Sequence, residues 1–298
     1  MKVLLTGATG FIGPALVRRL LDAGHTCTVV SRRPQQAREK VAAAAQVLGY
    51  DEMWPAVDAV VNMAGETLAG LWTAEKRQRV LRSRTEVTRR LVQWMADGPA
   101  PPRSLVSMSA IGIYGHRPGE TLTEMSVPDP DHKFRARVTL AWEAEALAAE
   151  ALGVRVALVR LANVLHPEGG YLGRLMTVYR LLPVVVGLGH GDHCFSWISR
   201  RDATRLMHFA LEQERAAGPL NVSSPQPVAR KRFSALLARA LGKRAVGRVP
   251  DWLLKLTLGE FSSTIIDSQY VLPARAQALG FRFEDETLEQ YFGRLEIG

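Results

Sequence analysis

The eight residues TGATGFIG, Thr6 to Gly13, lie between a short apolar run, KVLLT, and an amphipathic stretch that opens at Pro14. This junction restricts the fold more than any other stretch of the chain. A tight glycine turn that leaves a buried strand and enters a helix is the first unit of a dinucleotide-binding sheet. Gly7 permits the turn, Gly10 lets the backbone approach a pyrophosphate, and Gly13 lets the helix lie close to the sheet. The free N–H groups at the helix start, with their partial positive charge, would face the phosphates. Pro14 suits that first turn because the N–H it lacks would have no partner there.

The rest of the first half keeps the same rhythm. Strand signals in TCTVVSR, AVDAVVNMAG, RSLVSMS and VRVALVRLA alternate with helix signals at Pro34–Ala45, Thr73–Asp97 and Val138–Leu152, after a first helix at Pro14–Ala23. Short runs rich in valine and leucine suit strands buried on both faces. Their alternation with helices predicts an α/β fold, a Rossmann-type doubly wound parallel sheet. After about Asn163 the rhythm breaks into the glycine-rich HPEGGYLG, the segment PVVVGLGHGDHCFSWI, helices at Arg201–Glu214 and Arg230–Leu241, and the strand PLNVSS. The expected division is a core over residues 1–165 that also receives parts of 195–225. A smaller α+β lobe would cover 166–298, including a small C-terminal unit at about 248–296.

Two cysteines in 298 residues, Cys27 and Cys194, argue against a disulfide framework or a cysteine-bound zinc. No apolar run approaches the ~20 residues of a membrane helix. The first strand signal begins at Lys2, so no signal peptide is expected, and the chain reads as soluble and cytoplasmic. The net charge of +9 rests on scattered arginines rather than a block. It suits a basic surface with a few phosphate-binding arginines better than a nucleic-acid module.

The second strand ends in VVSRR. A carboxylate at this point would bind ribose hydroxyls and repel a 2′-phosphate. The chain has Ser31, Arg32 and Arg33 instead, and a guanidinium can hold a phosphate through two bonds. The expected cofactor is therefore NADP(H).

The Gly7–Gly10–Gly13 spacing, VDAVVNMAGE (Val57–Glu66) and SMSAIGIYG (Ser107–Gly115) together resemble the extended short-chain dehydrogenase/reductase superfamily. WTAEKRQRVLRSRTEVTRRL (Trp72–Leu91), PEGGYLGRL, FSWISRRDATR and the tail from VPDWLLKLTLGEF to ALGF narrow the resemblance. They point to an atypical epimerase-family subgroup of unassigned substrate, marked by a small C-terminal domain of unknown function. The resemblance spans essentially the whole chain. It implies cofactor contacts at Gly7, Gly10, Phe11, Ile12, Ser31, Arg32, Met63 and Ala64. Arg84 is a phosphate contact on one reading and a solvated helix arginine on the other.

The superfamily pairs a strand-end serine with a Tyr-x-x-x-Lys helix, in which tyrosine exchanges the proton and lysine lowers its pKa. This chain has no tyrosine between Tyr114 and Tyr171, and its only lysine between Lys76 and Lys231 is Lys133. Aligned through WEAEA, Thr139 stands in the tyrosine's place and Glu143 in the lysine's. Ser109 retains the serine, with Ala110 as a competitor for that place. The resemblance thus leaves Ser109 and Tyr114 as the catalytic candidates, although Tyr114 also reads as a packed aromatic. Glu143 reads either as a buried acid or as a solvated charge. His190, Asp192 and His193 in GHGDHCF could ligate a metal. The superfamily needs none, so no metal is expected and the loop reads as pocket lining, with Trp197 behind it. Asp202 reads as a helix cap or first-turn charge.

Two functions remain open on the sequence. One is an NADP(H)-dependent oxidoreductase or epimerase-like enzyme acting on a small substrate, nucleotide-linked or free. The other is a non-catalytic NADPH-binding regulator or partner protein.

Overall fold

The computed structural model describes residues 1–131 and 133–295, so the last three residues of the expected lobe lie outside it. Seven parallel strands form the central sheet: β1 Lys2–Thr6, β2 Thr26–Val30, β3 Gln46–Leu48, β4 Ala59–Asn62, β5 Ser104–Ala110, β6 Arg155–Leu161 and β7 Gly218–Val222. Their order is β7-β6-β5-β4-β1-β2-β3, which reverses direction between β4 and β1. Ligands of such sheets bind outside the carboxyl ends of the strands at that reversal.

Side-chain alternation divides the core. Val3, Leu5, Val29, Val61, Val106 and Val159 point to one face. There they meet Leu16, Val17 and Leu20 of α1 (Gly13–Asp22) and Leu206 and Met207 of α6 (Arg200–Glu212). Leu4, Val30, Val60, Leu105 and Leu158 point to the other face. They meet Leu91 and Met95 of α3 (Ala74–Asp97) and Ala146 of α4 (Phe134–Leu147). The long α3 starts where Thr73 accepts the N–H of Lys76, as an N-cap should.

Two expected boundaries shift. α2 is Pro34–Lys40 and stops five residues short of Ala45, because the chain must turn to place β3 beside β2. The alanine run that reads as helix is thus used as a turn. α4 begins at Phe134, before the expected Val138, and after Leu147 it tightens into a 3₁₀ turn, Ala148–Leu152.

Beyond the sheet, α5 (Gly170–Leu181) and α7 (Arg230–Ala240) build a second core around Phe195, Trp197, Phe233 and Tyr291. Trp197 is a core residue whose indole donates to the Gln226 carbonyl. Asp202 is fully buried, while the cap of α6 is Ser199. The Asp202 carboxylate accepts the N–H groups of Glu284 and Asp285 and an N–H of Arg205, so it fastens the C-terminal segment to α6. Among the described residues no helix is long and apolar enough to cross a membrane.

Candidate functional site

The glycine loop leaves β1 and enters α1 at the point of reversal. Gly7 has φ +68°, and a Cβ there would overlap the Met63 backbone at the end of β4. A Cβ on Gly13 would overlap Ala8, so the helix can approach only because Gly13 has none. Gly10 meets only the Gly7 carbonyl and leaves its other side open. Ile12 precedes α1 and offers no side-chain cap, which leaves first-turn N–H groups available to an anion.

Behind this loop lies a buried polar hub that the sequence reading missed. Thr6 donates to Asn62, Asn62 donates to Thr88 of α3, and the Trp142 indole of α4 donates to the same Thr88 hydroxyl. Ala64 donates its N–H to Asn62 as well. The hub ties the ends of β1 and β4 to both helices and so fixes Met63 and Ala64 beside the loop.

Phe11 reaches across to the HPEGGYLG segment. A Cβ on Gly169 would come within 2.6 Å of its ring, and Gly170, at φ +63°, lies against the same ring. The glycines of that stretch therefore make room for Phe11. At the end of β2, Ser31 accepts the Arg33 N–H, and the Arg32 side chain is exposed. No carboxylate occupies the SRR segment.

Arg84 is not a solvated helix arginine. It is largely buried, donates to the carbonyls of Glu66 and Val80, and stacks over Trp142 at 5.0 Å. Burial lowers its guanidinium to about 10, which still leaves it charged at neutral pH.

A cavity of about 200 Å³ opens at the carboxyl ends of β5 and β6. Phe134, Arg135, Val138, Thr139 and Trp142 on one face of α4 form one wall, and Ala110, Leu161 and Asn163 form another. Arg230, Asp267 and Gln269 close it from the C-terminal half, and Arg84 also lines it. Arg135 donates to Asp267 and to the Ser263 carbonyl, and Arg230 donates to the Asp267 carbonyl. Gly112, Phe134, Arg135, Ser263 and Asp267 also border a wider cleft of about 730 Å³ that takes in His116 and His193. Of the GHGDH loop only His193 reaches this cleft; His190 and Asp192 are exposed, and Asp192 pairs with Lys231. Lys133 pairs with Asp131 at its rim.

Strand alternation sends the two candidates for the strand-end place, Ser109 and Ala110, to different surroundings. Ala110 faces the cavity, whereas Ser109 is buried on the other side and donates to Glu143 at 2.5 Å. Glu143 is itself buried, in a two-point pair with Arg160 at 2.9 Å for each bond. Arg160 also donates to the Tyr114 hydroxyl at 3.0 Å, and that hydroxyl donates to Asn221 of β7 at 2.8 Å. Tyr114 has no exposed surface. Burial, the largest influence, raises its pKa above the ordinary tyrosine value, against the opposing pull of Arg160. For Arg160, burial alone would lower the guanidinium, but the hydrogen bonds and charge of Glu143 outweigh it and leave it raised. Neither Ser109 nor Tyr114 lines the cavity, and both hydroxyls are engaged inside the protein. Thr139 does line it, but its hydroxyl donates to the Arg135 carbonyl one turn back. Arg160 carried no signal in the sequence, because a charge inside a strand acquires meaning only once its partner across the sheet face is known.

Comparison with known proteins gives a consistent placement. The model of the NAD dependent epimerase/dehydratase family matches residues 3–223, and that of a domain of unknown function, DUF1731, matches residues 249–295. The chain is 33% identical over 293 residues to the epimerase family protein YfhF of Bacillus subtilis (strain 168), covering 97% of this chain and 96% of that one. The crystal structure of human epimerase family protein SDR39U1 (isoform 2) with NADPH superposes with a TM-score of 0.88 at 29% identity, over 98% of each chain. MoeE5 in complex with UDP-glucose and NAD shares the fold, with a TM-score of 0.76 at 21% identity over 98% of this chain and 96% of that one.

Proposed function

The chain belongs to the NAD-dependent epimerase/dehydratase family, and from that premise we propose that it binds NADP(H) and carries out hydride chemistry on a small anionic substrate, a nucleotide-linked molecule being the leading class. The observation that carries this reading is the cavity at the ends of β5 and β6. It lies on the cofactor side of the sheet and is lined by Arg84, Arg135 and Arg230 against a single carboxylate, Asp267. Such a lining favours a negatively charged guest. The relatives agree in kind: the human SDR39U1 structure contains NADPH, and MoeE5 contains UDP-glucose with NAD.

The residues present fit the cofactor. The loop amides at Gly10–Gly13 would face its pyrophosphate, Met63 and Ala64 would flank its adenine half, and Ser31 with Arg32 would hold a 2′-phosphate. When bound, the nicotinamide supplies or takes the hydride. Arg84 would hold a phosphate or the substrate through its buried guanidinium, and Arg135 and Arg230 would orient the anionic group. The proton would come from the substrate or from water, since Ser109, Tyr114 and Thr139 already spend their hydroxyls inside the protein.

The test is turnover of purified protein with NADPH or NADP⁺ on panels of sugar nucleotides and small carbonyls, followed by nicotinamide absorbance. Activity that survives Ser109→Ala and Tyr114→Phe but collapses in Arg230→Met supports the proposal. Activity lost in Ser109→Ala at unchanged fold and cofactor affinity refutes the assigned proton route. A second reading, an NADPH-binding regulator, draws on one observation: Ala110, Thr139 and Glu143 occupy the three places of the superfamily's acid machinery. Tight NADPH binding with no turnover on any panel would favour it.

A further inference from the structure

On the α1/α6 face of the sheet, away from the cavity, three side chains converge. His25 sits in the turn between α1 and β2, and His208 and Glu212 lie four residues apart on one face of α6. Nε2 of His25 is 3.1 Å from Nε2 of His208 and 3.2 Å from Oε1 of Glu212, and Nε2 of His208 is 3.3 Å from the same oxygen. Among the described residues this is the group of three whose ligand atoms lie close enough to share an ion.

Hydrogen bonding cannot satisfy this triangle. Each Nε2 either carries a proton or presents a lone pair, and the carboxylate only accepts. If both rings donate to Glu212, two N–H groups oppose each other at 3.1 Å. If one ring donates to the other, the accepting ring turns its lone pair toward the carboxylate. Every assignment of neutral rings leaves at least one edge repulsive. A cation at the centre makes all three edges favourable. Ligands held about 2.0–2.1 Å from a tetrahedral zinc are separated by roughly 3.3 Å, which is the spacing seen here. The rings stand nearly perpendicular, at 89°, so both lone pairs can aim at one point. The other nitrogen of His25 lies 3.1 Å from the Met1 amino group, so binding through Nε2 puts the ring proton on Nδ1 and requires that amino group to be neutral and to accept it.

We propose that His25, His208 and Glu212 bind a zinc-class divalent ion, with water completing the tetrahedron on the exposed Glu212 side. Two imidazoles and one carboxylate suit Zn²⁺ and exclude Mg²⁺ and Ca²⁺, which take mostly oxygen ligands. The ion would clamp the α1–β2 turn to the last turns of α6. It does not depend on the NADP(H) reading. It is also distinct from the GHGDH loop, which sends Asp192 to Lys231 and His193 to the Ile266 carbonyl.

The test is calorimetric titration of the chelator-stripped, full-length protein, free of any polyhistidine tag, with ZnCl₂. One saturable equivalent is expected, together with a rise in melting temperature, and no response to MgCl₂. Glu212→Gln changes an exposed side chain, so it should fold normally while losing at least ~10-fold in zinc affinity. His208→Ala should abolish the saturable phase, and the His190→Ala/His193→Ala double variant should retain it. Co²⁺ in place of zinc should give the visible absorption of a tetrahedral site. Absence of saturable binding, or equal binding by wild type and both cluster variants, would overturn the proposal.

Discussion

Replacing Glu143 with glutamine removes one charge and almost no volume, yet it strikes the centre of a buried network. Glu143 receives two bonds from Arg160 and one from Ser109, and all three side chains are at least nine-tenths buried. The guanidinium that remains has no other carboxylate in the network; its third bond goes to the neutral Tyr114 hydroxyl. Breaking a buried pair from one side costs about 3–5 kcal/mol, because the other charge is left uncompensated. For a chain of this length that is a fall in melting temperature of roughly 6–10 °C. Thermal unfolding followed by tryptophan fluorescence would measure it, with Trp142 of α4 one residue from the change. Removing both charges separates charge from packing. Glu143→Leu with Arg160→Met should recover most of the loss and leave a deficit of about 1 kcal/mol, from the Ser109 hydroxyl that loses its acceptor. NADPH affinity should change little in either variant, since neither residue lines the cavity. A double variant as unstable as the sum of its singles would refute this account of the network. So would a Glu143→Gln protein that melts with wild type.

The remaining predictions concern the C-terminal clamp and pH. Asp202→Ala strips the acceptor from two backbone N–H groups and from Arg205. It should cost on the order of 3 kcal/mol and make the segment after Phe281 an early site of limited proteolysis; unchanged melting and cleavage would count against the clamp. Burial is the leading influence that lowers the imidazoles of His116 and His166 below their ordinary value of 6.5 in the folded protein. Well above that value both states leave them neutral. As pH falls through it the unfolded chain takes up protons that the folded chain resists, so stability is lost toward acid. Urea midpoints between about pH 7.5 and 5.5 should fall less steeply in His116→Gln/His166→Gln than in wild type, and equal slopes would show that these rings do not contribute.

How far the sequence reaches depends on whether a signal is local. The glycine loop, the strand–helix alternation and the absence of a carboxylate after β2 are local, and each appears in place in the fold. The α2 boundary is not local, since an alanine run has helix propensity whatever β3 requires of it. The emptiness of the tyrosine and lysine places could be read from the chain alone, but its consequence could not. Strand parity decides that Ala110, rather than Ser109, meets the cavity, and a one-residue ambiguity inverts that answer. Tyr114 has suitable chemistry and a position near the strand end, yet Arg160 and Asn221 arrive from β6 and β7 to hold it in the core. Arg135 and Arg230 lie 95 residues apart in number and meet only at Asp267, so no spacing pattern could have announced them.

The central claim is that the SRR segment at the end of β2 makes this an NADP(H) site. Competitive titration of NADPH and NADH, by quenching of intrinsic fluorescence, tests it directly in wild type and in Arg32→Ala. A 2′-phosphate held by a guanidinium contributes about 1.5–3 kcal/mol, so NADPH should bind roughly 10- to 150-fold more tightly than NADH. That advantage should largely vanish in Arg32→Ala while NADH affinity stays put. Equal or tighter binding of NADH by the wild-type protein would contradict the account.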